Sequence, residues 1–299
     1  MADYFDPETY PQEWNFLQSG TIIDQYVIER ELAHGGFSSV YLARQIEDQI
    51  QVAIKEYLPR KLAHRTWNNS VVAHDESTKA LFIKGRILFF EEAKVLVELK
   101  HHNIVEVINF FQANSTVCMV MVYDYGISLD KLLREHTFPI TEDWMLSVFR
   151  QLLDGIRVIH QHHFMHLDIK PANILIRPGN DPLLLDFGAI QPYPANPKKF
   201  HNRIYSQGYS PIEQYSSSGV LGPWTDIYAV GATMRSCLEH KIPLTATERA
   251  KQDDLEPAVK AFQHKFSPKL LQTIDHAMAV MPNDRPQSAE ELQKILADI

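Results

Sequence analysis

The order in which two hydrophobic periods follow one another limits the folds open to this chain. Over residues 26–56 it reads as three strands, YVIERELA, SVYLARQ and IQVAIKEY, separated by the turn-forming HGGFS and EDQ, which predicts an antiparallel meander. From residue 86 to 100 the period lengthens to that of a helix, with Leu88, Val95, Leu96 and Leu99 predicted on one apolar face. Glu92 falls on the same stripe, four residues after Leu88 and three before Val95, whereas Glu91, Lys94 and Glu98 fall on the wet face. A carboxylate among core residues is costly unless a cation meets it.

Two more strand-like runs follow, at about 105–111 and 116–123, and Gly126 ends the strand periodicity. The rest is helical in pattern. Residues 141–162 carry Met145, Leu146, Phe149, Leu152, Leu153, Ile156 and Ile159 at helical spacing behind a capping Thr141, and shorter helices are predicted at 226–239, 268–280 and 287–297, the last entered through Ser288 and Glu291. Strands first and helices afterwards predict an α+β protein in two lobes with a cleft between them. Residues 59–85 resist this scheme and read as a long connection between the third strand and the helix.

Composition narrows the function classes. Acidic residues exceed basic ones by 37 to 29, with no dense Lys/Arg block, so nucleic acid is excluded as a partner. The longest strongly apolar run, residues 117–123, falls far short of the roughly 18 residues a membrane span needs. The acidic start MADYFDPETYPQEWNF lacks the basic opening and apolar run of a secretory signal, which points to a cytoplasmic protein. Cys118 and Cys237 read as buried free thiols.

Four islands carry chemistry. Leu32-Ala33-His34-Gly35-Gly36-Phe37-Ser38-Ser39-Val40 lies between two strands, where small residues let backbone N–H groups approach a polyphosphate or simply make a hairpin turn. In Val52-Ala53-Ile54-Lys55, Lys55 points away from Ile54 on an apolar strand, a placement that also suits a surface lysine. His166-Leu167-Asp168-Ile169-Lys170-Pro171-Ala172-Asn173 sets an acid, a base and an amide on a short loop beside an apolar run, a density of polar groups that is expensive unless used. In Leu183-Leu184-Leu185-Asp186-Phe187-Gly188 an apolar strand stops at an aspartate.

In this order and at these separations the islands resemble the eukaryotic-type protein kinase family, in a style closest to bacterial Ser/Thr kinases. The resemblance runs from about residue 22 to 297 and extends to Gly208-Tyr209-Ser210-Pro211-Ile212-Glu213, to Asp226 in GPWTDIYAVGAT and to Arg285 in NDRPQSAEEL. It implies a bilobal protein-kinase-like fold, with an N-lobe antiparallel β-sheet plus one main helix at about 22–122, a hinge over about 122–126, a mainly α-helical C-lobe at about 127–299, and 1–21 as an N-terminal extension. It further implies MgATP as phosphoryl donor, with Mn²⁺ as an alternative metal. Lys55 would hold the α and β phosphates and pair with Glu92, the carboxylate already in need of a cation. Asp186 and Asn173 would bind metal, Asp168 would orient and accept the proton of the substrate hydroxyl, and Lys170 would neutralise the transferring phosphate. Adenine would lie by Ala53 and Met121, with Val122, Tyr123 and Asp124 offering backbone hydrogen bonds. Lys170 two residues after Asp168 is the family's Ser/Thr pattern, and the 208–213 element, pinned by a Glu213–Arg285 pair, suits protein substrates rather than small molecules.

The chain also departs from the family. Only Gly35 of three expected loop glycines is in place, with Ala33 and Ser38 at the outer positions and Gly36 extra. Leu167 stands where many members have the arginine that receives an activation-loop phosphate, and residues 186–213 contain no threonine, so activity without activation-loop phosphorylation is expected. Ser206 stands where the family often has a threonine bonded to the catalytic aspartate. His160, His162, His163 and His166 fit no common zinc spacing; His166 would support the loop and the others face solvent. The alternative to an active kinase is a pseudokinase acting as a nucleotide-binding docking module.

Overall fold

In the computed structural model, which describes residues 16–136, 138–194, 205–216 and 218–299, the predicted alternation along the first strands is realised as a sheet. The chain divides into two compact units, one running to Glu98 and taking in Glu106–Tyr123, the other made of Leu99–Val105 and Asp124 onward.

The first unit holds β1 (Ile22–Ile23), β2 (Tyr26–His34), β3 (Ser38–Gln45), β4 (Gln51–Tyr57), β5 (Ala63–Arg65), β6 (Val71–Ala73), α1 (Glu76–Glu98), β7 (Val107–Ala113) and β8 (Thr116–Val122). Six strands pair antiparallel in the order β1-β2-β3-β4-β8-β7, and β5 pairs with β6 as a separate hairpin. Strand alternation sends Val52 and Ile54 into an apolar cluster with Leu17, Ile23, Tyr26, Ile28, Tyr41, Ala43, Cys118 and Val120. Lys55 is carried on the other face, where its Nζ lies 5.5 Å from the Phe89 ring centre of α1.

Helix α1 begins ten residues before the predicted start at 86, because Asp75 caps it. Asp75 Oδ1 accepts from Thr78 N–H at 2.9 Å while Asp75 N–H donates to Thr78 Oγ1 at 3.1 Å, a reciprocal box. The buried stripe is Phe82, Phe89, Glu92, Ala93 and Leu96. Leu88, predicted on that face, is instead 42% exposed, and Ile83, Ile87, Phe90 and Val97 are exposed as well. Phe82 and Phe89 displace it, being drawn to Tyr57, whose ring centre lies 5.7 and 5.8 Å from theirs. Gly85 permits this contact: a Cβ there would meet the Tyr57 hydroxyl at 1.8 Å.

The second unit holds β9 (Ile127–Ser128), α2 (Leu129–Glu135), α3 (Glu142–Gln161), β10 (Phe164–Met165), β11 (Ile174–Arg177), β12 (Asp181–Leu184), β13 (Gln191–Pro192), α4 (Ile212–Tyr215), α5 (Pro223–Glu239), α6 (Ala246–Arg249), α7 (Ala258–Ala261), α8 (Pro268–Ala277) and α9 (Ala289–Ala297). The predicted long helix is α3, and Thr141 accepts from Trp144 N–H as its cap. Its apolar stripe is buried throughout, and α5, buried from Thr225 to Leu238, packs beside it as the unit's central helix. Short pairings β10 with β13 and β11 with β12 hold the two ends of the loop that carries Asp168. Both cysteines are buried free thiols. Among the described residues no helix is long and apolar enough to cross a membrane.

Candidate active site

Strand β4 and helix α1 bring together the first two predicted residues. Lys55 Nζ donates to Glu92 Oε1 at 2.7 Å, and the two are 7% and 8% exposed, so the carboxylate on the core stripe has its cation. Register places Lys55 opposite Val40 on β3 and Met119 on β8, and Ala53 opposite Met121. Ala53 and Met121 are buried, whereas Val122 is 37% exposed. The Val122 N–H already donates to Glu106 O at 2.9 Å, so of the backbone donors predicted for adenine this one is taken up by the sheet. Tyr123 is half-buried. Asp124, also half-buried, accepts from Arg177 at 3.1 Å within the second unit.

The loop joining β2 to β3 is a tight turn, with Gly35 N–H donating to Ser38 O at 2.9 Å. Leu32, Ser38 and Val40 are half-buried; Ala33, His34, Gly35, Gly36 and Phe37 are exposed. A Cβ at Gly35 or Gly36 would meet nothing within 4 Å, so the space over this backbone is open. His34 is drawn aside to Glu31, Nδ1 to Oε1 at 2.5 Å.

In the second unit, the loop after β10 is hung from one buried carboxylate. Asp226 of α5, fully buried, accepts from the backbone N–H of His166 at 2.9 Å and of Leu167 at 2.8 Å, and lies 2.8 Å from His160 Nε2. Burial pushes its pKa up, yet the His160 hydrogen bond and charge, the nearby His166 and the Leu167 N–H more than offset that, leaving it below the usual range. His160 is therefore not solvent-facing as expected; it is held inward by Asp226, while His162 and His163 are exposed. His166 is fully buried, its Nδ1 3.2 Å from Asp168 N–H and its ring edge-on to Phe187.

The suspended loop turns Asp168 toward three donors. Lys170 Nζ donates to both carboxylate oxygens at 3.0 and 2.7 Å, Ser206 Oγ donates to Oδ1 at 2.6 Å, and Asn173 Nδ2 donates to Oδ2 at 2.9 Å and to the Asp168 carbonyl at 2.8 Å. Lys170 also reaches Ser206 Oγ at 2.9 Å. Asn173 sits in the 3-10 turn Pro171–Asn173, and its carbonyl accepts from the N–H of Leu185, the residue before Asp186, at 3.0 Å. Asp186 Oδ1 accepts from Gly188 N–H at 3.1 Å. An amide and a carboxylate, without imidazole or thiolate, suit a hard oxygen-seeking cation; among the described residues no group of three or more His, Cys, Asp or Glu could hold a metal ion.

The segment after this loop is pinned as expected. Arg285 donates through two nitrogens to the two Glu213 oxygens at 2.7 and 3.1 Å, both residues buried, and Thr225 Oγ1 adds a third bond at 3.0 Å. Gly208 has φ +79, and a Cβ there would meet Pro243 O at 2.6 Å. Leu167 packs with Met165, Ala189, Leu221 and Tyr193, so hydrocarbon fills the place of the missing arginine. Residues 195–204, part of the threonine-free stretch, lie outside the described residues. Sequence reasoning missed Arg65 and Glu56, a buried pair whose two members are separated by a turn that carried no strand signal.

Compared with known proteins, residues 26–296 match the family described as Protein kinase domain. The chain is 29% identical over 288 residues to Serine/threonine-protein kinase D of Synechocystis sp., covering 92% of this chain and 52% of that protein. It is 28% identical over 271 residues to Serine/threonine-protein kinase TAO3 of Homo sapiens, covering 88% and 27%. The solved structure of PpkA-294 in its apo form matches with a TM-score of 0.85 at 32% identity, covering 94% of this chain and 99% of that one. This chain thus spans about half the length of the Synechocystis relative and about a quarter of the human one.

Proposed function

The chain belongs to the protein kinase family, and from that premise we propose that it transfers the γ-phosphate of ATP to serine and threonine hydroxyls of protein substrates. The observation that carries this reading is the Asp168 carboxylate, which Lys170, Ser206 and Asn173 hold in one orientation on a loop suspended from Asp226. A carboxylate so fixed orients a substrate hydroxyl and takes its proton as the oxygen attacks. Lys170 remains beside it to offset charge on the phosphoryl group in transit. Lys55, aligned by Glu92, binds the α and β phosphates, and the open backbone at Gly35 and Gly36 admits the polyphosphate. The adenine ring is proposed to lie by Ala53 and Met121.

Asn173 and Asp186 are the residues that would hold Mg²⁺, or Mn²⁺ in its place. When bound, the metal would supply Lewis-acid stabilisation of negative charge on the phosphate groups. The buried thiols suit a reducing compartment, which supports a cytoplasmic setting. Leu167 in its apolar cluster supports activity that does not await an activation-loop phosphate, since the charge that would receive it is replaced by hydrocarbon. A docking module without transfer leaves Lys170 and Ser206, both turned onto Asp168, without a purpose.

Incubation with labelled ATP, Mg²⁺ and a generic protein acceptor tests the proposal, with Asp168→Asn as control. Labelled serine and threonine from the native protein alone supports it; equal labelling from both proteins overturns it.

A further inference from the structure

The 59–85 stretch, which reads in the sequence as a long connection, holds the β5–β6 hairpin followed by the first turns of α1, and its first residues reach the loop between β2 and β3. Leu58 N–H donates to Phe37 O at 2.9 Å and Arg60 N–H donates to Gly36 O at 3.1 Å, which prolongs the β3–β4 ladder beyond its last pair, Ser38 opposite Tyr57. The chain then turns, with Leu62 and Ala63 N–H donating to Pro59 O at 2.8 and 2.9 Å, and enters the β5–β6 hairpin.

Two anchors hold that hairpin. Arg65 on β5, 2% exposed, reaches across to Glu56 Oε2 on β4 and to the Tyr41 hydroxyl on β3 at 3.3 Å, and also donates to Asn69 O at 2.9 Å. Tyr41 OH lies 3.2 Å from the same Glu56 oxygen. Separately, Val71 N–H donates to Asn114 O at 2.7 Å in the turn between β7 and β8. Glu56 is the residue after Lys55, so the hairpin's buried ion pair fixes β4 at the position next to the phosphate-binding lysine.

The loop itself gives a reason for such a tether. Neither Gly35 nor Gly36 adopts a left-handed φ, and nothing lies within 4 Å of where their side chains would be. Two glycines in an exposed loop carry a large entropy cost of ordering that the single Gly35–Ser38 hydrogen bond within the loop offsets only in part. We propose that the insertion from Leu58 to Asp75 is a tether that holds the phosphate loop in its nucleotide-receiving pose, with the Arg60 backbone N–H and the Arg65 guanidinium as its positioning groups. The proposal rests on the phosphotransfer reading above, and it assigns these groups to ATP affinity rather than to the chemical step.

Arg60 occupies the second position of the turn closed by Leu62 and Pro59, a position that accepts proline. Arg60→Pro therefore removes the N–H bonded to Gly36 while preserving the turn, and Arg60→Ala removes the guanidinium while keeping the N–H. Relative to Arg60→Ala, Arg60→Pro raises the KM for ATP about fivefold, the factor that accompanies loss of one ordinary hydrogen bond. The kcat and the KM for the protein acceptor stay unchanged, and amide hydrogen exchange at Gly35–Ser38 speeds up. Equal ATP KM and equal exchange in the two variants overturn the tether. Should Arg60→Pro lose its cooperative melting transition, Arg65→Lys serves instead. It keeps the charge but not the three-way bonding, and the same rise in ATP KM and exchange is expected, with native values overturning the proposal. The exchange measurement needs no turnover, so a protein that transfers no phosphate refutes the kinase reading while the tether is still decided.

Discussion

Ser206 donates its hydroxyl to Asp168 Oδ1 across 2.6 Å, and the contact joins the loop hung from Asp226 to a residue 38 positions further along the chain. With Lys170 on both oxygens, it leaves the carboxylate little freedom to rotate. Asp168→Asn keeps the shape but removes the proton acceptor, so kcat falls by about 10² to 10⁴ while binding of a non-hydrolysable ATP analogue is retained. Single-turnover kinetics and calorimetric titration read the two quantities; a variant with native kcat would remove Asp168 from the chemistry.

Lys55 and Glu92 separate stability from function. Lys55→Met leaves the Glu92 carboxylate buried without its cation, so it lowers both the melting temperature and the transfer rate, the latter by about 10² or more. The double variant Lys55→Met with Glu92→Leu recovers the melting temperature and none of the activity. Recovery of activity along with stability would show that the pair serves the fold alone.

Glu213 and Arg285 form the bidentate pair that pins the segment after Ser206, and the Arg285 side chain has no solvent exposure. Glu213→Gln strands that charge in the interior, at a cost of about 3–5 kcal/mol. Urea unfolding should show a lower midpoint at an unchanged slope; an unshifted midpoint contradicts the burial.

His166 gives the fold a pH dependence. Burial pushes its pKa below the usual 6.5, against the opposing pull of Asp226, Asp168 and Asp186, with Lys170 acting in the same direction as burial. The unfolded chain binds the proton more readily than the folded one. Stability is thus full above about 6.5 and declines as pH falls from there toward the lower folded value. His166→Gln flattens that decline in denaturant titrations run at successive pH values, and an identical slope in both proteins would assign it elsewhere.

Protein treated with phosphatase and shown by mass spectrometry to carry no phosphate at Ser206 or Ser210 should transfer phosphate at the native rate. Loss of activity on dephosphorylation, restored by rephosphorylation, would mean that Leu167 has a functional substitute.

The strands β2, β3 and β4 were legible because each is a run of seven to nine residues set off by the turn-forming HGGFS and EDQ, and α3 because its stripe is unbroken across 20 residues. Glu92 was legible through its cost, before any partner was known. The register of α1 was not, since Leu81, Ile83, Ile87, Leu88, Phe90 and Val97 make its outer surface apolar too, and a helix greasy on two sides does not announce which one is buried. Its start could have been found in Asp75 and Thr78, three residues apart. The β5–β6 hairpin was hidden because its strands are three residues long and its largest buried side chain is an arginine, which makes sense only once Glu56 and Tyr41 are beside it. His160 was misread for a similar reason: its partner Asp226 lies 66 residues away.

Leu167 changes how one joint of the molecule responds to its surroundings. An arginine clasping a phosphate loosens as ionic strength rises and comes apart when the ester is hydrolysed. Methyl groups packed against Met165, Ala189 and Leu221 answer to neither; they weaken in the cold and in urea. On the proposed reading, the arginine would make this joint a latch that enzymes can open, and the apolar cluster around Leu167 makes it a weld that answers to the solvent instead.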